Sequence, residues 1–275
     1  MPAFKRIEFS SPSLSFRKTT VQVDVLEKSP KEVTRVSWSV EGKPFYSTDC
    51  AKCFEEIEYS TARTSIYRKD GLELASPEHL APVFLMWPGR SFNVNVLGGE
   101  VPMMDGSAVK FLFGLRRSAG VPEELGFYDA PVKAAWEFGY GCVRITPCEA
   151  FEVDYILDRP DLGGFKSAES VSIYSAEDLY NVFDARTFIF ESDLKKAREA
   201  GLLSGVDETC GMVLGAGDER AYRVHQEPAR HKILDLIGDL CFVRPALPKV
   251  RIEIVNGGHA VHRQILEKIL PYAVR

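Results

Sequence analysis

The chain has 275 residues, 45% of them hydrophobic and 27% charged, with a net charge of −5. That balance describes one large or two ordinary folded domains and excludes long disorder. An acidic chain with no Lys/Arg block and no interleaving of basic and aromatic residues is not expected to bind nucleic acid. The densest apolar run, Ala81 to Trp87, contains Pro82 and is too short to span a bilayer. The start MPAFKRIEFSS lacks an apolar signal core, so a cytoplasmic protein is expected.

In chain order, KTTVQVDVLE alternates from Val21 to Leu26 and VTRVSWSVEG from Val33 to Val40, predicting two strands. SPEHLAPVFLMW predicts a helix capped by Ser76, with Pro77 at its first position and Glu78 in its first turn. FNVNVLGG predicts a strand, and GSAVKFLFGLRRSAG a helix stopped by Gly120. After the connector VPEELGFYDAP, PVKAAWEFG, GCVRITP and AFEVDYILD predict a three-strand meander. SAEDLYNVFDART predicts a helix capped by Ser175, and SDLKKAREAGLL one capped by Ser192 and ended by Gly201. The segment SGVDETCGMVLGAGDERAYRV is looser. RHKILDLIGDL then predicts a helix, KVRIEIVNGG a strand, and HAVHRQILEKILPYA a closing helix. Strands followed by helices occur twice, which predicts an α+β chain of two similar domains, 1–122 and 128–275.

RHKILDLIGDL carries a polar residue at every fourth position: His231, Asp235 and Asp239. On a helix these form one stripe, about 40° apart at each step. Any amphipathic helix with an outer wet face shows such a stripe. Gly238 beside it is harder to explain on a wet face, where Ala would be better by roughly 1 kcal/mol. A glycine there suits the close approach of another segment or a ligand.

The five histidines are His79, His225, His231, His259 and His262. His231 and Asp235, four apart, can chelate one ion. With a further histidine they form a ligand set suited to zinc, with a fourth position open for water. The His-Glu-x-x-His signature is absent, so this is a different metal architecture. Cys50 and Cys53 form a CxxC without a second pair, which reads as two reduced thiols in a loop.

SPEHLAPVF, VPMMDGSAVKF, ARTFIFESDL, EPARHKILDLIGDL and GGHA, in this order and spacing, resemble the UDP-3-O-acyl-N-acetylglucosamine deacetylase family of lipid A biosynthesis. The likeness runs from about Thr64 to about Leu266. It implies helices packed between two outer sheets and a zinc-dependent hydrolysis that releases acetate from an acylated UDP-amino sugar. It implies zinc ligands His79, His231 and Asp235, with Glu78 as general base. His259 would be the protonated group that stabilises the oxyanion and protonates the leaving amine, oriented by Asp239. Thr187 would bond the amide oxygen, and Lys232 and Phe188 would bind the sugar nucleotide. A monomer is expected, with peripheral membrane contact through the acyl chain.

The chain departs from the family at its start. IEFSSPSLSFRKTT has no counterpart of the family's GVGLHSG-type motif, the arginine-rich segment is not evident around Ser39–Ser47, and Ser76-Pro77 replaces threonine–valine before Glu78. These changes fall on the substrate wall, so a related amidase acting on another N-acylated sugar or small amide is the alternative. A non-catalytic lipid- or partner-binding relative is a third reading, which has no use for the retained acid–base and ligand groups. His262 is expected on a helix surface and His225 in packing. Asp105 supports either the site or an Asp-Gly turn, and Cys210 is expected to line the acyl passage.

Overall fold

Val21, Val23 and Val25 are buried while Gln22 and Asp24 between them are not, which sets the period-two face of a strand on a core. The computed structural model describes residues 5–28, 34–50, 54–60, 64–201, 203–207, 209–215 and 222–273. The first half contains β1 (Lys5–Ser11), β2 (Thr19–Lys28), β3 (Arg35–Val40) and β4 (Lys43–Ser47). A small sheet of β5 (Glu58–Ser60), β6 (Ile66–Lys69) and β7 (Leu72–Ala75) follows. Then come β8 (Arg90–Leu97) and α1 (Val109–Ala119). The second half runs β9 (Phe127–Tyr128), β10 (Ala134–Phe138), β11 (Gly141–Pro147), β12 (Phe151–Arg159), β13 (Phe165–Ile173), α2 (Ala176–Phe183), β14 (Phe188–Phe190) and α3 (Glu191–Glu199). It ends with β15 (Met212–Leu214), α4 (Glu227–Val243), β16 (Leu247–Pro248), β17 (Val250–Val255) and α5 (His259–Ala273).

Each half builds a five-stranded sheet on one plan. The first has the order β1-β2-β8-β3-β4 and the second β10-β11-β17-β12-β13. In both, the last strand inserts between the second and third, parallel to the third and antiparallel to the second. A parallel neighbour cannot be reached by a tight turn, so a long crossover is required. These crossovers carry the site: β5–β7 and residues 77–86 in the first half, α2, α3 and α4 in the second. The predicted meander of β10, β11 and β12 is corrected, because β17 separates β11 from β12. That pairing is non-local, and the short breaks between the strands do not encode it.

Helix α4 lies between the two sheets. It packs on β12, β13, α2 and α5. At its C-terminal end Phe242 stacks on Tyr67 at 4.1 Å and meets Trp38 of β3 and Tyr46 of β4. Every residue from Ile233 to Val243 is buried. His231, Asp235 and Asp239 are each buried, so the stripe is not a wet outer surface.

Several local expectations are borne out. α1 ends at Gly120, whose φ of 88° is the glycine region. α2 opens with a capping box in which the Asp178 carboxylate accepts the Ser175 N–H at 2.9 Å.

Others are corrected. Ser76 does not cap: its φ is 57°, and residues 77–79 and 81–86 form two short 3-10 helices. Pro82 has no N–H to give to a helical ladder, so a continuous α-helix cannot run through it. The Ser76 hydroxyl instead lies 2.9 Å from the Thr64 hydroxyl. Ser192 lies inside α3, whose cap position is Phe190 leaving β14 extended. Cys50 is disulfide-bonded rather than a reduced thiol; Cys53 lies outside the described residues. Strands β1, β4 and β13 and the β5–β7 sheet were not predicted.

Candidate metal centre and acid–base groups

Gly238 fixes how α4 meets the turn at residues 77–79. A Cβ at Gly238 would lie 2.0 Å from the Glu78 carbonyl oxygen and 2.7 Å from its Cα. The absence of a side chain lets the backbone of Glu78-His79 rest directly on the helix. The close approach expected from Gly238 is thus the contact that sets Glu78 and His79 against the stripe.

His79 Nε2 and His231 Nε2 both point at Asp235 Oδ1, at 3.4 and 3.2 Å. That buried oxygen has no hydrogen-bond partner among the described residues. Atoms bound to one tetrahedral zinc at about 2.0–2.1 Å stand about 3.3 Å from one another. The three side chains therefore fit a divalent ion, and their ligand atoms all lie within 4.8 Å of each other. His231 Nδ1 donates to the Ala185 carbonyl at 3.1 Å, which leaves the Nε2 lone pair facing Asp235. Burial lowers the pKa of His231, keeping it neutral as a ligand must be. Burial opposes the charge of Asp235, but His231 and Lys232 outweigh it and hold the carboxyl well below its usual range. Its second oxygen, Oδ2, accepts from Lys232 Nζ at 2.8 Å.

Glu78 is buried beside this cluster. Thr64 donates its hydroxyl to Oε1, while Oε2 has no hydrogen-bond partner among the described residues. Burial raises the carboxyl's pKa, against the pull of His259 and His79. His259 Nε2 lies 3.7 Å from both Glu78 Oε1 and Asp235 Oδ2. Its Nδ1 lies 3.1 Å from Asp239 Oδ2. Burial depresses the pKa of His259, but the charge of Asp239 and its hydrogen bond, followed by Asp235 and Glu78, bring it up to about 9. The imidazole is thus a cation at neutral pH in the metal-free protein.

These groups open on a cavity of about 1110 Å³. Glu78, His79, Lys232, Asp235 and His259 line it, together with Thr187 and Phe188. His231 and Asp239 stand behind the lining. Thr187 is pinned through its backbone, its N–H donating to Gly106 O at 2.6 Å and its carbonyl accepting from Met212 at 2.8 Å. Lys232 Nζ lies 5.5 Å from the centre of the Phe188 ring. Cys210 is buried and lines the cavity as expected, with Val206, Met212 and Val213 beside it. From the altered N-terminal segment, Leu14 reaches the same wall, its N–H held by Glu100 at 3.0 Å.

Sequence reasoning missed Thr64, Ser65 and Tyr155, which have no pattern of their own. It misplaced His262, which is fully buried with Nδ1 at 3.1 Å from Asp239 Oδ2. Its spacing of three from His259 was the available signal. His225 is not packed; its side chain is 77% exposed and lies 3.2 Å from Glu169. Asp105 makes the turn, accepting from Ser107, and pairs with Arg223 at 2.7 Å.

The family described as UDP-3-O-acyl N-acetylglycosamine deacetylase (LpxC) matches residues 22–271. The chain belongs to this deacetylase family. A UDP-3-O-acyl-N-acetylglucosamine deacetylase from Nitrosococcus oceani is 31% identical over 230 residues, 78% of this chain and 73% of the relative. The deacetylase of the same name from Pseudomonas entomophila is 31% identical over 228 residues, covering 77% and 71%. That from Marinobacter nauticus is 29% identical over 225 residues, covering 79% and 73%. The deacetylase family match begins after β1 and includes every residue placed around the cavity apart from Leu14.

Proposed function

We propose that this chain is a zinc-dependent amide hydrolase that removes the acetyl group from UDP-3-O-acyl-N-acetylglucosamine in the lipid A pathway. The observation that carries the reading is the convergence of two imidazole Nε2 atoms on an Asp235 oxygen without a hydrogen bond among the described residues, beside a carboxylate and a cationic imidazole on one cavity. His79, His231 and Asp235 would hold the ion, which when bound supplies Lewis acidity for the amide carbonyl and lowers the pKa of a nearby water.

Glu78 is the general base. Thr64 anchors Oε1, and Oε2 is left to take a proton from the attacking water. Its raised pKa brings its basicity nearer to that of the proton it removes. As the water oxygen bonds to the acetyl carbon, negative charge grows on the amide oxygen. Thr187 donates to that oxygen and the His259 cation answers its charge, which exists only in the transition state. The C–N bond then breaks, and His259 Nε2–H protonates the departing amine, giving acetate and the free amino sugar. Lys232 and Phe188 bind the sugar nucleotide, and the apolar wall around Cys210 and Met212 receives the acyl chain. The two-domain division at 1–122 and 128–275, the monomeric state, the cytoplasmic setting and a peripheral membrane contact complete the reading. Among the described residues no helix is long and apolar enough to cross a membrane.

The test is acetate release from UDP-3-O-acyl-N-acetylglucosamine by protein of measured zinc content. Turnover that disappears on chelation and returns with zinc is the expected result; protein that neither binds zinc nor gains activity from it overturns the reading. A second reading keeps the hydrolysis and changes the substrate, because Leu14 brings an altered segment to the cavity wall. Zinc-loaded protein inert toward this sugar nucleotide but active on another N-acylated sugar would select it.

A further inference from the structure

Behind the cavity, four side chains join β12, α4 and α5 in a row. His259 Nδ1 and His262 Nδ1 each lie 3.1 Å from one oxygen, Asp239 Oδ2. Ser65 donates its hydroxyl to the other oxygen. Tyr155 Oη lies 3.1 Å from His262 Nε2. Asp239 is held ionised: burial opposes its charge, but His259 and His262 outweigh it. An ionised carboxylate has no proton to give, so both Nδ1 atoms must carry one. Burial lowers the pKa of His262 and keeps it neutral, so its Nε2 accepts the Tyr155 hydroxyl. The row therefore has one direction, from Tyr155 through His262 to Asp239, with His259 donating from the other side.

The surrounding fold is shaped to this row. His259 and His262 stand three apart on α5 and share a face. A Cβ at Gly257 would lie 2.7 Å from Tyr155 Oη and 2.6 Å from Ile254 Cγ2, so glycine there leaves the room Tyr155 occupies. His262 itself is absent from the cavity lining and cannot touch substrate.

We infer that His262 is a positioning residue: it holds the Asp239 carboxylate from behind, so that His259 presents Nε2 to the cavity in one orientation. The inference rests on the reading of His259 as the acid of the proposed hydrolysis. Without the second donor, Oδ2 is held by His259 alone and the pair loses its fixed aim. Substrate contacts are untouched, so the loss falls on kcat and not on KM.

The test uses zinc-loaded wild type, His262→Leu, His262→Asn and Tyr155→Phe. His262→Leu is expected to lower kcat roughly 10- to 100-fold, with KM and zinc content unchanged. His262→Asn, whose side-chain N–H can reach Asp239, is expected to recover most of that loss. Tyr155→Phe keeps the donor to Asp239 and is expected to stay within about threefold of wild type. Proton spectra of wild type should include low-field imidazole N–H resonances from His259 and His262. The His259 resonance should persist in His262→Asn and be shifted or lost in His262→Leu.

A folded His262→Leu with unchanged kcat overturns the inference, as does a His262→Asn variant as impaired as the Leu variant. If the Leu variant does not fold, His262→Asn decides alone: kcat near wild type with the His259 resonance retained supports the inference, and a lost kcat overturns it. Zinc-loaded wild type inactive on every amide tried overturns the hydrolase reading and this inference together. Active wild type with an unaffected Leu variant overturns this inference only.

Discussion

Two buried His/Asp clusters lie one turn apart along α4. One gathers His79, His231 and Asp235, the other Asp239, His259 and His262. They contain the same residue types at similar spacing, and each could in principle surround an ion. Their hydrogen atoms distinguish them. In the first, His231 spends its N–H on the Ala185 carbonyl, so a lone pair faces a carboxylate oxygen that has no hydrogen bond among the described residues. In the second, both imidazoles spend their N–H groups on Asp239, and Ser65 takes the remaining oxygen. The first cluster converges lone pairs and suits a cation; the second is already neutralised by protons and suits orientation. A carboxylate between two imidazoles is thus a ligand set or a hinge for a proton donor, depending on which ring nitrogen turns toward it.

The contrast can be broken by removing one member of each cluster. His79→Ala should abolish stoichiometric zinc and reduce turnover by at least about 10³-fold. Metal analysis showing full zinc in that variant would remove His79 from the ligand set. Glu78→Gln should keep its zinc and lose about 10²- to 10⁴-fold in kcat, because only the proposed base is gone. Asp239→Asn, in the second cluster, should also keep zinc and lose roughly 10- to 100-fold. If Asp239→Asn instead released the metal, the two clusters would not be separate devices.

Most of both clusters was legible in the sequence or in the family resemblance; His262 of the second was not. The period of α4 put His231, Asp235 and Asp239 on one stripe, and Gly238 marked a close approach that the backbone of Glu78 makes. The local capping pattern at residues 76–86 predicts a helix. Their actual 3-10 path follows from Pro82 and from contact with α4, a helix in the other half of the chain. His262 was assigned to the surface because α5's period does not say which faces are covered. Tyr155 and Asp239 cover it from two other elements. Thr64 and Ser65, which hold Glu78 and Asp239, sit in a short stretch with no periodicity. The repeated sheet plan was visible only as strands followed by helices, since the inserted strand in each half pairs across a long crossover.

The smallest effect expected, and the one that separates the clusters most finely, is in the pH dependence of kcat/KM. As the proposed base, Glu78 would work ionised, so activity should rise with pH through its pKa, which burial raises above the usual carboxylate range. As the proposed acid, His259 would work protonated, so activity should fall as pH rises through its pKa, which reaches about 9 in the metal-free protein. A divalent cation bound by His79, His231 and Asp235 disfavours both protonated forms, so in the loaded enzyme each limb moves down and the basic limb falls below about 9. Glu78→Gln should remove the acid limb from the residual activity and leave the basic one. Asp239→Asn should move the basic limb to lower pH, because Asp239 contributes most to raising the histidine against burial. The acid limb should then stay close to its wild-type position. A basic limb that ignored Asp239→Asn would mean that His259 draws its proton affinity from Asp235 and Glu78 instead, and that the second cluster sets direction without setting charge.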